Sequence, residues 1–165
     1  YAHRAPWHII TNMLSVWTKR EMEIRLGSIT YLKYTFLLVI LSGATETVFC
    51  YVAQRYFNQP QYRVQYSLGY SCVLFGWTMI QCEYSKRDMS YFGFVVPARL
   101  APFVKLILAS LIVPNASFIG HLSGIIVGAL IAQDCFFWFY DQIFWVVLAI
   151  TALCIDYTLA EGGYP

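Results

Sequence analysis

Charged residues are scarce in this sequence. Lys, Arg, Asp and Glu make up 12% of the 165 residues, whereas 59% are hydrophobic. Soluble domains average about 25% charged residues. So little charge cannot cover a water-facing surface, which excludes an ordinary soluble domain and favours a lipid bilayer as the solvent. The net charge is only +2, so we expect no nucleic-acid partner.

Paired cysteine motifs, repeats and low-complexity linkers are also missing. The five cysteines lie in or beside apolar segments, and none forms a CxxC pair. We therefore expect neither a disulfide framework nor a metal site, and no cofactor. One domain over residues 1–165 is the simplest organisation. The N-terminal segment has no basic stretch followed by a short apolar run, so we expect no signal peptide in it.

Hydrophobic segments make up most of the sequence. Six apolar segments flanked by polar residues and breakers are predicted as helices, at about residues 7–25, 29–51, 69–82, 98–113, 118–139 and 142–159. The sequence therefore predicts an all-α fold, a polytopic transmembrane helical bundle, and hence an integral, multi-pass membrane protein. The apolar part of the third segment, residues 70–80, is too short to cross a hydrocarbon core of about 30 Å.

That short third segment predicts where Ser71 lies. Unpaired backbone groups are costly in lipid, so a helix that begins at membrane depth must face protein or trapped water. Ser71 is thus expected below the membrane surface, in a wet pocket. A tilted helix is the alternative.

Basic residues are distributed unevenly between the two ends of the predicted spans. Most fall at one end: Lys19, Arg20, Arg25, Lys33, Lys86, Arg87 and Arg99. This excess marks that side as cytoplasmic or its equivalent, and Lys105 could snorkel toward it. Ser71 and His121 then lie at the opposite, outward ends of two antiparallel spans, at similar depth.

Polar residues inside membrane spans are candidates for chemistry, and here they are His8, Asn12, Glu46, Ser71 and His121. Taken singly, such a serine usually bonds its own helix, and such a histidine usually bonds a neighbouring one. In combination, an imidazole that takes the proton of a serine hydroxyl makes that hydroxyl a nucleophile. Glu46 lies about 19 residues past Gly27, near the outward interface, where solvation is the simpler interpretation.

Glycines and an aromatic ring accompany the serine and the histidine. Gly69 precedes Ser71 by two residues, which lets the backbone bend and leaves N–H groups at a helix start to stabilise an oxyanion. Phe75 lies one turn after Ser71 and could stack on an imidazole. Gly120, Gly124 and Gly128 form a smooth stripe beside His121, typical of closely packed membrane helices, although plain helix packing explains the stripe equally well.

Taken in order, these elements resemble the rhomboid family of intramembrane serine proteases. The motifs are His3-x4-His8-x3-Asn12, Glu23-x-Arg25-x-Gly27-Ser28, Gly69-x-Ser71-Cys72 with Phe75, and His121-x2-Gly124-x3-Gly128. The resemblance implies Ser71 as nucleophile and His121 as general base, without an aspartate. His8, Asn12 and the Ser71 N–H would form the oxyanion hole. Glu23 and Arg25 would tie the inner end of the first helix to neighbouring backbone, a structural role.

The same resemblance implies the partners of the protein. They would be transmembrane protein substrates in the lipid bilayer, admitted past the fourth helix and the loop near residues 114–117. Cys72 departs from the pattern, because the family usually has Gly after the nucleophile. The family's first spanning helix would precede Tyr1, and the sixth segment would be an extra C-terminal span.

Two other functions are alternatives. The first is a catalytically idle rhomboid-like protein that binds membrane clients or serves as a subunit of a membrane complex. The second is an unrelated transporter or channel, which the lack of inverted repeats disfavours.

Overall fold

The computed structural model describes residues 5–58, 70–91, 93–112, 117–136 and 141–162. The helices are α1 (Ala5–Leu26), α2 (Ser28–Tyr56), α3 (Ser71–Ser85), α4 (Ala101–Ile112), α5 (Phe118–Ala132) and α6 (Asp141–Gly162). Two short strands, β1 (Met89–Tyr91) and β2 (Phe94–Val96), form an antiparallel hairpin between α3 and α4. The predicted all-α bundle is confirmed.

Two helix boundaries and one hairpin are the main differences from the prediction. α4 begins at Ala101 and not at 98, because the N–H groups of Leu100 and Ala101 both bond to the Pro97 carbonyl in a preceding turn. α5 ends at Ala132, well before 139, and the chain turns through Asp134, which has a positive φ of 54°. The β1–β2 hairpin was not predicted, since each strand has only three residues.

The contacts divide the chain into two compact units, Tyr1–Cys135 and Phe136–Pro165. The first unit contains α1 to α5 and the hairpin. The second contains α6, whose Leu153, Ile155 and Tyr157 are exposed. The single domain expected over residues 1–165 stays a prediction.

α3 is the central helix of the first unit. Every residue from 73 to 80 is buried, and an apolar helix buried on all sides is a core helix. The fully buried Trp77 connects it to α2, because its Nε1 donates to Thr35 Oγ1 at 3.1 Å and its ring stacks on Tyr31. With 15 residues, α3 spans only about 22 Å, so it is short, as the sequence indicates.

The glycine interface, which comprises Gly76 of α3 and Gly124 and Gly128 of α5, brings these two helices together. A Cβ at Gly76 would lie 2.9 Å from the Gly124 carbonyl oxygen, and one at Gly128 would lie 2.8 Å from the Gly76 Cα. A Cβ at Gly124 would lie 2.8 Å from the carbonyl carbon of Cys72. Because backbone meets backbone here, no larger residue fits without moving a helix.

By length and composition, α2 alone among the described helices is long and apolar enough to cross a membrane. It has 29 residues and exposes apolar side chains such as Val39, Ile40 and Val48. α4, α5 and most of α6 are apolar but shorter. Exposed apolar surface of this kind suits lipid contact.

The side chains of two lysines point into the first unit. Lys105 does not snorkel outward as predicted: its Nζ donates to Thr78 Oγ1 of α3 at 3.2 Å. Lys19 is only 4% exposed, and its Nζ donates to Gln81 Oε1 at 2.6 Å. A buried ammonium needs such acceptors to offset its lost hydration, so polar side chains on α3 replace water for both.

The glycine interface predicts that Gly128→Ala destabilises the protein. The added methyl would overlap the backbone of α3 around Gly76, and overpacking of this kind costs roughly 1–3 kcal/mol. Gly43→Ala is the control, because nothing lies within 4 Å of a Cβ at that position of α2. Thermal unfolding in detergent measures both variants; equal midpoints would contradict the interface.

Candidate active site

Ser71 is the first residue of α3. Tyr70 is the N-cap residue and contributes no side-chain cap, and its carbonyl accepts the first helical bond, from the N–H of Leu74 at 3.2 Å. The first N–H groups of a helix have no carbonyl partner within the helix and carry its positive end. The half-buried Ser71 hydroxyl therefore lies beside backbone donors that suit a developing negative charge.

His121 lies in the first turn of α5, opposite Ser71. Its Nε2 is 3.0 Å from Ser71 Oγ, and the residue is 5% exposed. In the neutral tautomer with the proton on Nδ1, Nε2 is the acceptor and the hydroxyl is the donor. The structure thus brings together the two residues that the sequence pairs as nucleophile and base.

An aromatic ring fixes the angle of the imidazole. Phe75 stacks on His121 with ring centroids 4.3 Å apart and planes inclined by 23°. Phe75 itself lies in a buried cluster with Met79, Leu106 and Ile125. The Lys105 ammonium lies 5.1 Å from the centroid of the Phe75 ring, within the range of a cation–π contact. Three helices therefore hold the imidazole in one orientation.

The start of α5 is anchored to α2 through a residue for which the sequence suggested only solvation. Ser117 is the N-cap of α5, and its Oγ accepts from the Gly120 N–H at 3.0 Å. The same hydroxyl donates to Glu46 Oε1 at 2.8 Å. An N-cap of this kind is worth about 1 kcal/mol. The interpretation of Glu46 as a simply solvated side chain is therefore wrong in this structure.

The three glycines of the α5 stripe contact two different neighbours, α3 and Glu46 of α2. Gly124 and Gly128 face α3, as expected of close packing, whereas Gly120 faces the Glu46 carboxylate, 2.8 Å from a Cβ built there. Gly76, the α3 partner in this contact, was missed. Nothing in the sequence around it distinguishes it from an ordinary core residue.

The residues predicted for the oxyanion hole are described only in part. Asn12 is half-buried on α1, four residues after His8, so the two lie on one face of the helix. The side chain of His8 and the whole of Gly69 lie outside the described residues. Their roles stay predictions.

Glu23 and Arg25 make side-chain contacts at the end of α1. The Ser28 hydroxyl donates to Glu23 Oε1 at 2.9 Å, and Arg25 pairs with Glu21 at 2.6 Å. These partners are side chains, whereas the sequence analysis expected neighbouring backbone. The turn between α1 and α2 passes through Gly27 at φ 81°, a conformation that favours glycine.

Cys72 directs its thiol away from the glycine interface. Its Sγ is 3.6 Å from Ser42 Oγ on α2, and the atoms nearest to a Cβ at Gly124 are the carbonyl oxygen, carbonyl carbon and Cα of Cys72. The approach of α5 thus depends on backbone at position 72 and not on the absence of a side chain there.

Comparison with known proteins identifies the family. The Rhomboid domain model matches residues 1–138, so the chain belongs to the rhomboid family of integral membrane proteins. It is 31% identical over 133 residues to Rhomboid-related protein 4 of Homo sapiens, covering 79% of this chain and 42% of that protein.

Other relatives carry different names. Rhomboid-like protein 14, mitochondrial, of Arabidopsis thaliana is 31% identical over 125 residues, covering 74% of this chain and 37% of that protein. Rhomboid-type serine protease 2 of Eremothecium gossypii is 28% identical over 131 residues, covering 79% and 48%. The chain thus spans less than half the length of these curated relatives. No solved structure matches it significantly.

Cys72→Gly is predicted to change the reactivity of Ser71 by less than about threefold, because the Cys72 thiol lies 3.6 Å from Ser42 Oγ of α2, while the backbone of residue 72 makes the close contact with Gly124 of α5. Its main effect should be a stability loss of roughly 1 kcal/mol for a glycine inside a helix. The rate at which a fluorophosphonate labels Ser71 and the unfolding midpoint measure the two effects separately. A large gain in labelling rate would show that the thiol obstructs the site.

Proposed function

We propose that this protein is an intramembrane serine endopeptidase that uses Ser71 and His121 as a catalytic dyad. The 3.0 Å contact between His121 Nε2 and Ser71 Oγ carries the proposal. A serine hydroxyl is a weak nucleophile until a base within hydrogen-bond reach takes its proton, and this contact satisfies that condition. Membership of a family that includes proteins named serine proteases supports it.

The proposed reaction uses the contact between Ser71 and His121 in both of its steps. As Ser71 Oγ attacks the carbonyl carbon of the scissile bond, its proton passes to His121 Nε2. The imidazolium then gives that proton to the departing amine, and an acyl ester remains on Ser71. Water, deprotonated by the same nitrogen, hydrolyses the ester and restores the hydroxyl. Phe75 keeps the imidazole plane constant through both proton transfers.

The oxyanion would lie at the start of α3. The backbone N–H of Ser71 is at the positive end of this helix, and preorganised donors are each worth about 3 kcal/mol in the transition state. His8 and Asn12, which share a face of α1, are the proposed side-chain donors. Glu23 and Arg25 are proposed to stabilise the far end of that helix.

The substrates would be transmembrane segments of other proteins, reaching the dyad from the bilayer. α4 supports this route, because it exposes Phe103, Ile107 and Leu111 along one face at fourfold spacing. The opposite face buries Ala101 and Leu106 in the first unit. Of the loop near residues 114–117, also expected on the route, residues 114–116 lie outside the described residues.

Ser71→Ala is predicted to abolish cleavage of a single-span substrate in proteoliposomes, and His121→Ala is predicted to lower the rate by at least about 10³-fold, since dyad members act as a unit. Ser123→Ala is the matched control: this buried α5 hydroxyl bonds to the Ile119 carbonyl of its own helix at 2.8 Å, so the activity of the variant should match wild type.

The outcome separates the enzyme from the catalytically idle alternative. Cleavage that survives Ser71→Ala contradicts the proposed nucleophile. If the wild type binds the substrate but cleaves it no faster than Ser71→Ala does, the result would favour a client-binding protein or a subunit of a membrane complex.

A further inference from the structure

We infer that Glu46 and Ser117 form a positioning pair that sets the rotation of α5 and so aims His121 at Ser71. This inference rests on the proposed function, because it assigns the pair a role in that reaction. Neither residue belongs to the motifs by which the chain resembles its family.

Ser117 connects Glu46 to the histidine within one helical turn. Its hydroxyl donates to Glu46 Oε1 at 2.8 Å and accepts from the Gly120 N–H at 3.0 Å. Its carbonyl accepts from the N–H of His121 itself at 3.0 Å. A displacement of Ser117 therefore moves the backbone that carries the imidazole.

The Glu46 carboxylate packs against Gly120, the first glycine of the α5 stripe. Gly120 has no side chain, and a Cβ there would lie 2.8 and 3.0 Å from the two carboxylate oxygens. Gly124 and Gly128 contact α3. α5 is thus fixed against α3 by two glycines and against α2 by the third, which determines its rotation about its own axis.

Several other hydroxyls of the described helices bond within their own helix. Those of Ser110 and Ser123 bond to the carbonyl four residues earlier in their own helix, the ordinary behaviour of serine in a membrane helix. Thr47, beside Glu46, likewise bonds to the Gly43 carbonyl. The bond from Ser117 to Glu46 is instead made between α2 and the start of α5, the helix that carries His121.

The test measures the rate at which a fluorophosphonate labels Ser71, which reports alignment of the dyad without substrate entry, together with the unfolding midpoint. Glu46→Leu removes the acceptor, and Ser117→Ala removes the hydroxyl. Each should slow labelling on the order of tenfold to a hundredfold, the effect of a small misplacement. The double variant should be no slower than the worse single one, because both changes break the same link.

Conservative variants distinguish an effect on the position of His121 from an effect on protein stability alone. Glu46→Gln keeps an acceptor oxygen and Ser117→Thr keeps a capping hydroxyl, so both should label within about fivefold of wild type. Thr47→Val, the control, should label at the wild-type rate. If Glu46→Leu does not accumulate, Gly120→Ala replaces it, because the new methyl displaces the carboxylate without removing a polar group.

The outcomes are distinct. Variants that lower the unfolding midpoint but label at the wild-type rate overturn the inference, as does a double variant whose losses add. A wild type that does not label at Ser71 overturns the proposed function and the inference together. Normal wild-type labelling with unaffected Glu46→Leu overturns the inference alone.

Discussion

The close approach of α3 and α5 at the glycine interface is the constraint on which the site depends. Ser71 begins one helix and His121 lies in the first turn of the other, so their separation is set by how closely the two backbones pack. At 76, 124 and 128, a Cβ added to the glycine would overlap backbone atoms of the neighbouring helix. In a bilayer, where lipid is as apolar as the helix surface, such packing replaces the hydrophobic driving force available in water.

Polar side chains inside this bundle are joined to partners on other helices. Lys19 and Lys105 bond to Gln81 and Thr78 on α3, and Glu46 bonds to Ser117 at the start of α5. Unpartnered polar groups are costly away from water, so each of these bonds also specifies which helix faces go together. α3 is the common neighbour of the two lysines, which explains why this apolar core helix keeps Thr78 at its middle and Gln81 in its C-terminal half.

The central pair was predicted from its chemistry, but the relative direction expected for the two helices was wrong. Ser71 is the first residue of α3, and His121 lies in the first turn of α5. The contacts of Cys72 with Gly124 and of Gly76 with Gly128 show that the two helices run parallel and not antiparallel as expected. The two residues meet because both helices begin on the same side, and helix periodicity places Phe75 one turn after Ser71. Gly124 and Gly128 were predicted to lie at a helix contact for the same reason.

The contacts that were not predicted join side chains of elements that lie far apart in the sequence. Glu46 and Ser117 are 71 positions apart, and no local pattern indicates that α2 supplies a partner for the α5 cap. Lys105 turns inward because Thr78 and Phe75 lie beside it, which helix periodicity alone does not reveal. The β1–β2 hairpin is too short for its alternation to be recognised. The roles of His8, Asn12 and Gly69 stay predictions.

The central claim, that an alcohol oxygen and an imidazole nitrogen meet at this helix contact, is tested most directly by a reagent that must bond both. The Ser71 hydroxyl adds to the carbonyl carbon of a peptidyl chloromethyl ketone as a hemiketal, which holds the methylene carbon beside His121 Nε2, and this nitrogen then displaces chloride. In membranes, the reagent should alkylate His121 in the wild type and only at the background rate in Ser71→Ala. Alkylation of His121 at the same rate in both proteins, or in neither, would contradict the account.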